Sequence, residues 1–281
     1  MINTHLLVSG ADYFADDFKI NPYYNDSPID VEKAKSEHAA IIDCFKQAGI
    51  EVTKVTPPAG CQDGVYTANW AIVHNGTAIM SRLPEARKAE EPYAKQILSD
   101  LGYKIAEVPA GNLFSGQGDS LICGKYLFAG SGYRSDPAAQ RFVADTLGLE
   151  LVQLHTIPQL DTNGNPYTNP VTNHADSFFY DLDLALSIIS ENCIAYCEDA
   201  FDEESKAKLK SLDLNKIIID YEEATVGFAC NLVSTGKTVI MSNRAPKFQA
   251  ALEARGLTCL TPDVTELKKG GGYIRCISLA I

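Results

Sequence analysis

Short apolar runs alternate along this chain with longer stretches in which apolar residues recur every three to four positions. Residues 5–8 (His-Leu-Leu-Val) read as a strand. Residues 30–48 place Val31, Ala34, Ala39, Ile41, Ile42 and Phe45 in a helical pattern, with Asp30 as the N-cap, and residues 51–55 read as the next strand. Residues 70–73 and 77–80 flank His74-Asn75-Gly76, an Asn-Gly hairpin signal, and are followed by a predicted helix (90–101) and strand (104–108). The order then recurs. A hairpin of residues 120–123 and 127–129 leads to a helix (138–147) and a strand (150–154). A third hairpin (184–189 and 193–197) leads to a helix (203–212). A fourth (230–233 and 238–241) leads to a helix (245–255) and a strand (258–260). Hairpin, helix, strand repeats in architecture without repeating in sequence. That predicts an α/β protein built as a closed ring of ββαβ units rather than a doubly wound sheet. No linker composition interrupts the series, so residues 1–281 read as one domain.

Two segments stand apart. Residues 161–173 are rich in Asp, Thr, Asn, Gly and Pro, too polar for core, and predict a long loop of the kind that serves as a lid or binding loop. Residues 270–281 begin with three glycines, which allow close approach to backbone, continue through Arg275 and Cys276, and end in a short apolar strand. A thiol at the mouth of a strand beside a basic residue is a candidate nucleophile in an electropositive setting. A small buried hydrophobe is the other reading of Cys276 on these residues alone.

Composition narrows the class. The chain has 281 residues, 46% of them hydrophobic, and a formal net charge of −12. It has the material for a large core, and its acidity argues against nucleic-acid or anionic-membrane partners while suiting a cationic small molecule. The eight cysteines have no metal-ligand spacing, and Cys193 and Cys197 lack a second pair nearby, so no metal is expected. The first residues lack a basic n-region, and no apolar run approaches the roughly 18 residues that span a bilayer. A reduced, cytoplasmic protein is the expectation.

Six segments in chain order resemble the guanidino-group-modifying enzymes, the pentein superfamily of arginine deiminase, dimethylarginine dimethylaminohydrolase, arginine dihydrolase and glycine amidinotransferase. Residues 17–22 (Asp-Phe-Lys-Ile-Asn-Pro) resemble the family's Asn-Pro opening, and residues 62–69 (Gln-Asp-Gly-Val-Tyr-Thr-Ala-Asn) its Pro-Asp-x-Val-Phe-Thr-Ala-Asn stretch. Met80-Ser81-Arg82 with Arg87, Glu90, Glu91 and Pro92 resembles its Ser-Arg-Phe…Arg…Glu-Glu-Pro segment. Phe114-Ser115-Gly116-Gln117-Gly118-Asp119 resembles Phe-Glu-Gly-Gln-Gly-Asp, His174-Ala175-Asp176 resembles His-Leu-Asp, and residues 270–279 resemble the Gly-Gly-Gly-x-x-Arg-Cys terminus.

The resemblance implies a five-bladed α/β propeller and a hydrolase that needs no cofactor. It acts on the C–N bond of arginine or a related guanidine or amidine. Cys276 attacks the guanidinium carbon, and His174 protonates the departing ammonia or amine and then activates water against a covalent thiouronium. Asp63 and Asp119 hold the cation, Asp119 being counted with the catalytic set. Asp176 contacts substrate or orients His174, and Asn69 lines the same site. Arg87 and Arg134 bind a substrate carboxylate, with Arg82 a weaker candidate. An amidinotransferase, or a non-catalytic guanidino-binding protein, is the alternative, and a homodimer is left open. Ser115 stands where the family has Glu, and Asn69 where deiminases place an acid. Fewer fixed anions leave room for a less basic amidine or ureido substrate.

Overall fold

Five three-stranded sheets account for the strands of the computed structural model, which describes residues 2–24, 28–170 and 175–281. The first segment supplies β1 (His5–Val8), α1 (Val31–Gln47) and β2 (Glu51–Lys54). The second supplies β3 (Ala71–His74), β4 (Thr77–Met80), α2 (Glu90–Asp100) and β5 (Lys104–Glu107). A one-turn helix α3 (Gly116–Asp119) leads into β6 (Ser120–Cys123), β7 (Tyr126–Gly130), α4 (Pro137–Leu147) and β8 (Glu150–Leu154). The fourth unit is β9 (Leu186–Ser190), β10 (Cys193–Tyr196), α5 (Glu203–Ser211) and β11 (Asn215–Ile218). After α6 (Tyr221–Thr225), the fifth unit is β12 (Val233–Ser234), β13 (Thr238–Ile240), α7 (Pro246–Glu253) and β14 (Thr258–Leu260), and β15 (Leu279–Ala280) ends the series.

Each sheet has the same plan. The first strand pairs antiparallel with the second, and the second pairs parallel with the third across a helical crossover. The first sheet is assembled from both ends of the sequence: β15 pairs antiparallel with β1, and β1 pairs parallel with β2. First strands of neighbouring sheets touch, β15 against β3, β6 against β9 and β9 against β12, so the first strands surround a common axis.

Local chemistry explains the elements. Asp30 caps α1 by accepting the Lys33 amide at 3.0 Å. Ala34, Ile41, Ile42 and Phe45 bury one face of that helix, each large side chain contributing about 1.5–3 kcal/mol. Asn75 and Gly76, both at positive φ, make the expected hairpin turn between β3 and β4. The sequence pattern did not predict β11. Its residues, Asn-Lys-Ile-Ile, carry one fully apolar pair, and Ile218 is exposed. The expected strand at residues 230–233 shrinks to β12, because Cys230, Asn231 and Leu232 form a turn whose Asn has another task, described below. The polar stretch after residue 160 is tied down by bridges between Leu160 and Pro166 and between Thr168 and Ala175. No helix of the described residues is long and apolar enough to cross a membrane.

Candidate active site

The turn entering each first strand delivers a polar side chain to the axis. Asn69 lies two residues before β3, Asp119 one before β6, Asp183 three before β9, Asn231 two before β12 and Cys276 three before β15. All five are buried. The ring geometry, and not proximity in sequence, is what brings them together.

The nucleophile's turn is held at both ends. On the approach side, the Glu37 carboxylate from α1 accepts the amides of Thr265, Glu266 and Leu267. Tyr66 donates to the Leu267 carbonyl at 2.6 Å, Asn21 to the Gly270 carbonyl at 2.9 Å and Tyr180 to the Gly271 carbonyl at 3.0 Å. These contacts explain the glycines. A Cβ at Gly271, where φ is +86°, would lie 2.6 Å from the Tyr180 hydroxyl, and one at Gly272 would press on the Tyr66 ring and lie 2.9 Å from Cys276 Cβ. The run makes room for neighbouring tyrosines, and Gly270 and Gly272 also border the narrow cavity at the sulfur. On the far side, the Asn231 side-chain oxygen accepts the amides of Tyr273, Arg275 and Cys276 at 3.1, 3.0 and 3.2 Å, while its Nδ2 donates to Cys276 Sγ at 3.1 Å.

The thiol itself donates to Asp183 Oδ2 at 3.2 Å. Its surroundings are therefore acidic, which corrects the electropositive setting expected from Arg275. That arginine points away, donating to the Gln117 side chain at 2.6 Å. Burial, and after it the charges of Asp183 and Asp181, push the Cys276 thiol well above the ordinary range. A raised pKa means a protonated sulfur at neutral pH. Alkylation of Cys276 by iodoacetamide is accordingly expected to keep accelerating beyond the usual thiol midpoint of about 8.5; a plateau below that midpoint would contradict the acidic setting.

A narrow cavity of about 10 Å³ reaches the sulfur, bordered by Asp63, Tyr66, Asn69, Arg134, Tyr180 and Cys276. Asp63 presents a buried carboxylate that accepts from Tyr24 at 2.5 Å and Gln62 at 3.3 Å, and burial raises its pKa. Arg134 stacks on the Tyr180 ring, 4.1 Å from its centroid, and donates to the Ile20 carbonyl. It borders both this cavity and a wider outer one of about 370 Å³, which Arg82 and Asp176 also line. Asp176 is held by Asn169 at 3.0 Å in that outer cavity and is not among the residues bordering the inner one. Arg82 donates to the Val108 carbonyl.

Arg87, expected to meet a substrate carboxylate, is paired instead. Its fork binds Glu90 at 2.8 and 2.7 Å, and its remaining contacts are Asn69 Oδ1 at 2.7 Å and the carbonyls of Asp63 and Tyr66. It fixes the wall of the cavity and its charge is matched by Glu90. Asp119, expected to hold the cation, accepts the Leu182 amide and stands behind the cavity against Asp181 and Asp183; burial, then Asp181, raises its pKa. Asn69 donates to Ser115 Oγ at 2.9 Å and to Asp181 Oδ2 at 2.8 Å. Two carboxylates that sequence reasoning overlooked stand close by, Asp181 against Asn69 and Asp183 against Cys276. Their signal was positional: each repeat places a polar residue just before its first strand. His174 lies outside the described residues. Among those described, no group of three His, Cys, Asp or Glu side chains could hold a metal ion.

The family model described as N,N dimethylarginine dimethylhydrolase, eukaryotic, matches residues 13–281. The chain belongs to that family. It is 32% identical over 272 residues to the N(G),N(G)-dimethylarginine dimethylaminohydrolase of Mycobacterium tuberculosis, covering 96% of this chain and 83% of that protein. It is 30% identical over 281 residues to the bifunctional arginine dihydrolase/ornithine cyclodeaminase AgrE of a Nostoc species, covering 98% of this chain but 37% of that longer protein. The N-terminal domain of cyanobacterial ArgZ, solved with a covalently bound reaction intermediate, matches with a TM-score of 0.87 at 28% identity, covering 98% of this chain and 96% of that one. The five sheets are the blades of the pentein fold that this chain shares with them.

Proposed function

We propose that this chain hydrolyses the guanidinium C–N bond of L-arginine or an N-methylated arginine through a covalent thiouronium on Cys276. It is a hydrolase of the amidine-cleaving kind by family, and the observation that carries the finer reading is the contact set of one sulfur. Cys276 stands at the end of a narrow cavity, with Asn231 donating to it, Asp183 accepting from it, and Asp63 on the cavity wall. A planar cation entering that cavity meets Asp63 through paired charge-assisted hydrogen bonds. Its positive charge next to Sγ favours the thiolate, which offsets the acidic surroundings that otherwise hold the proton. The thiolate then adds to the guanidinium carbon, and ammonia or a methylamine leaves. The relatives named for dimethylarginine and for arginine both act on such groups, and the carboxylates around the sulfur favour a full cation over the weakly basic amidine that Ser115 and Asn69 had suggested.

Intact-protein mass spectrometry after brief mixing with arginine, methylarginines, agmatine and citrulline tests the reading. A transient adduct on the wild type, absent from Cys276→Ala, with ammonia or amine released, is expected. No adduct and no product from any compound would refute it.

Arg134 is assigned to the substrate carboxylate. It is the cation shared by the inner and outer cavities, and Asp176 and Tyr180 flank it. Arg134→Ala is expected to raise KM for arginine by about 10- to 100-fold, in keeping with 1.5–3 kcal/mol for a charged hydrogen bond, and to leave KM for agmatine nearly unchanged. An equal effect on both substrates would remove the assignment.

A further inference from the structure

Acid–base chemistry at Cys276 needs a group that delivers a proton to the leaving nitrogen and takes one from water. Four of the five histidines are described, and each is engaged elsewhere. His5 bonds Thr53, His74 bonds Asn75, His155 bonds Ser131, and His38 is buried in α1, where burial lowers its pKa to about 4. The groups that do surround the sulfur are carboxyls. Asp183 touches it, and Asp181, on the same turn, is close enough to raise its pKa.

The spacing of this turn is informative. Asp181-Leu182-Asp183 runs straight into β9 and repeats the x-Leu-Asp order for which His174-Ala175-Asp176 was the match by sequence. Asp183 reaches the cysteine. Asp176, in the other copy of the spacing, is bound by Asn169 in the outer cavity. Asp181 therefore stands at the position that the motif gives to histidine. Its setting is built for it: Asn69 donates to Oδ2, and a Cβ at Gly118 would lie 2.8 Å from that oxygen. Asp181 Oδ1 and Asp183 Oδ1 are both buried without a hydrogen-bond partner, which is costly unless a proton or a ligand arrives there.

We propose that Asp181 and Asp183 form a carboxyl pair that carries the protons of the Cys276 reaction, with Asp181 taking the part otherwise given to an imidazole. The proposal rests on the hydrolase reading above. The pair begins with one proton, on Asp183, whose carboxyl burial and the neighbouring Asp181 charge hold well above the usual range. The thiol proton passes to the pair as the S–C bond forms. The pair protonates the leaving nitrogen, the C–N bond breaks, and ammonia departs from the thiouronium. Water gives one proton to the pair as its oxygen bonds to carbon. The S–C bond then breaks, the sulfur takes a proton back, and the hydroxyl proton of the adduct passes to ammonia. The pair ends as it began, and guanidinium plus water has become a urea plus ammonium. The charged or titratable groups facing the pair are Asp119 from α3, Cys276 and Arg275 from the terminal turn, Cys230 before β12, Tyr23, Tyr180 beside Asp181, and Arg87 behind Asn69.

Ammonia release from L-arginine, followed against pH with adduct mass spectra, separates the possibilities in wild type, Asp181→Asn, Asp181→His, His174→Gln and Cys276→Ser. Asp181→Asn is expected to lose at least about 100-fold in turnover, and His174→Gln to stay within about threefold of wild type, too little for loss of a general acid–base. Asp181→His is expected to recover at least about tenfold over Asp181→Asn, with the acid limb of its profile moved to the imidazole range near 6.5. That recovery is something a merely structural aspartate would not produce, and it keeps the test decisive if Asp181→Asn folds poorly. An active wild type with Asp181→Asn equally active, or with His174→Gln as inactive as Cys276→Ser, overturns the carboxyl pair alone. A wild type that forms no adduct and releases no ammonia overturns the hydrolase reading and the pair with it.

Discussion

Cys276→Ser is expected to reduce turnover of any guanidine substrate to background, a loss on the order of 10⁴- to 10⁶-fold for removal of a nucleophile, while leaving stability nearly unchanged. The hydroxyl keeps the contacts that organise the turn. The Asn231 oxygen still receives the amides of Tyr273, Arg275 and the substituted residue, and the side chain still meets Asp183 and Asn231 Nδ2. What changes is chemistry: a serine hydroxyl among carboxylates has no base strong enough to ionise it at neutral pH, and no adduct should be seen. Thermal unfolding measured beside steady-state ammonia release checks both halves. Turnover within tenfold of wild type would end the assignment of Cys276.

Arg87→Ala is expected to be the most destabilising single substitution around the site. Arg87 and Glu90 are 2% and 1% exposed, so the ion pair lies wholly inside the protein. Removing the arginine leaves the Glu90 carboxylate with the Trp70 indole N–H and no cation, an uncompensated buried charge that costs about 3–5 kcal/mol. Asn69 loses the donor that orients its amide, so turnover should fall as well. Urea denaturation at equilibrium measures the first effect, with a lower midpoint at unchanged slope. If Arg87 were chiefly a substrate ligand, KM would rise at unchanged stability; a midpoint equal to wild type would favour that role. Arg87→Lys keeps the charge without the two-pronged fork and should fall between the two.

Much of the fold was legible because each blade is written in the same local grammar. The Asn75-Gly76 turn, the Asp30 cap and the alternation of hairpin with amphipathic helix are signals within a few residues of one another. β11 was illegible because an edge strand with an exposed Ile218 has little apolar pattern to show. Motif resemblance and chemistry coincide at Cys276, Asp63 and Arg134, three residues from distant segments that border one cavity. Arg87 was misjudged because a buried ion pair between residues three apart on a short turn reads, in sequence, like any surface pair. Asp183 and Asn231 were missed because they meet Cys276 across separations of 93 and 45 residues, and Asp181 because it meets Asn69 across 112. Contacts of that kind follow from ring geometry and leave no local mark.

The seam between β15 and β1 has a consequence for how reactivity arises. The strand that carries Cys276 into place belongs to a sheet whose other two strands come from the opposite end of the sequence. Four blades can form from contacts within short stretches, but this one requires closure of the whole circle, the entropically slowest kind of contact. Until it closes, the cysteine is an ordinary thiol, away from Asn231 and Asp183. The arrangement makes chemical competence an all-or-none property of the finished molecule: a C-terminally clipped copy would lack only the last catalytic side chain, a partly folded one would lack none, and both would be inert toward guanidines.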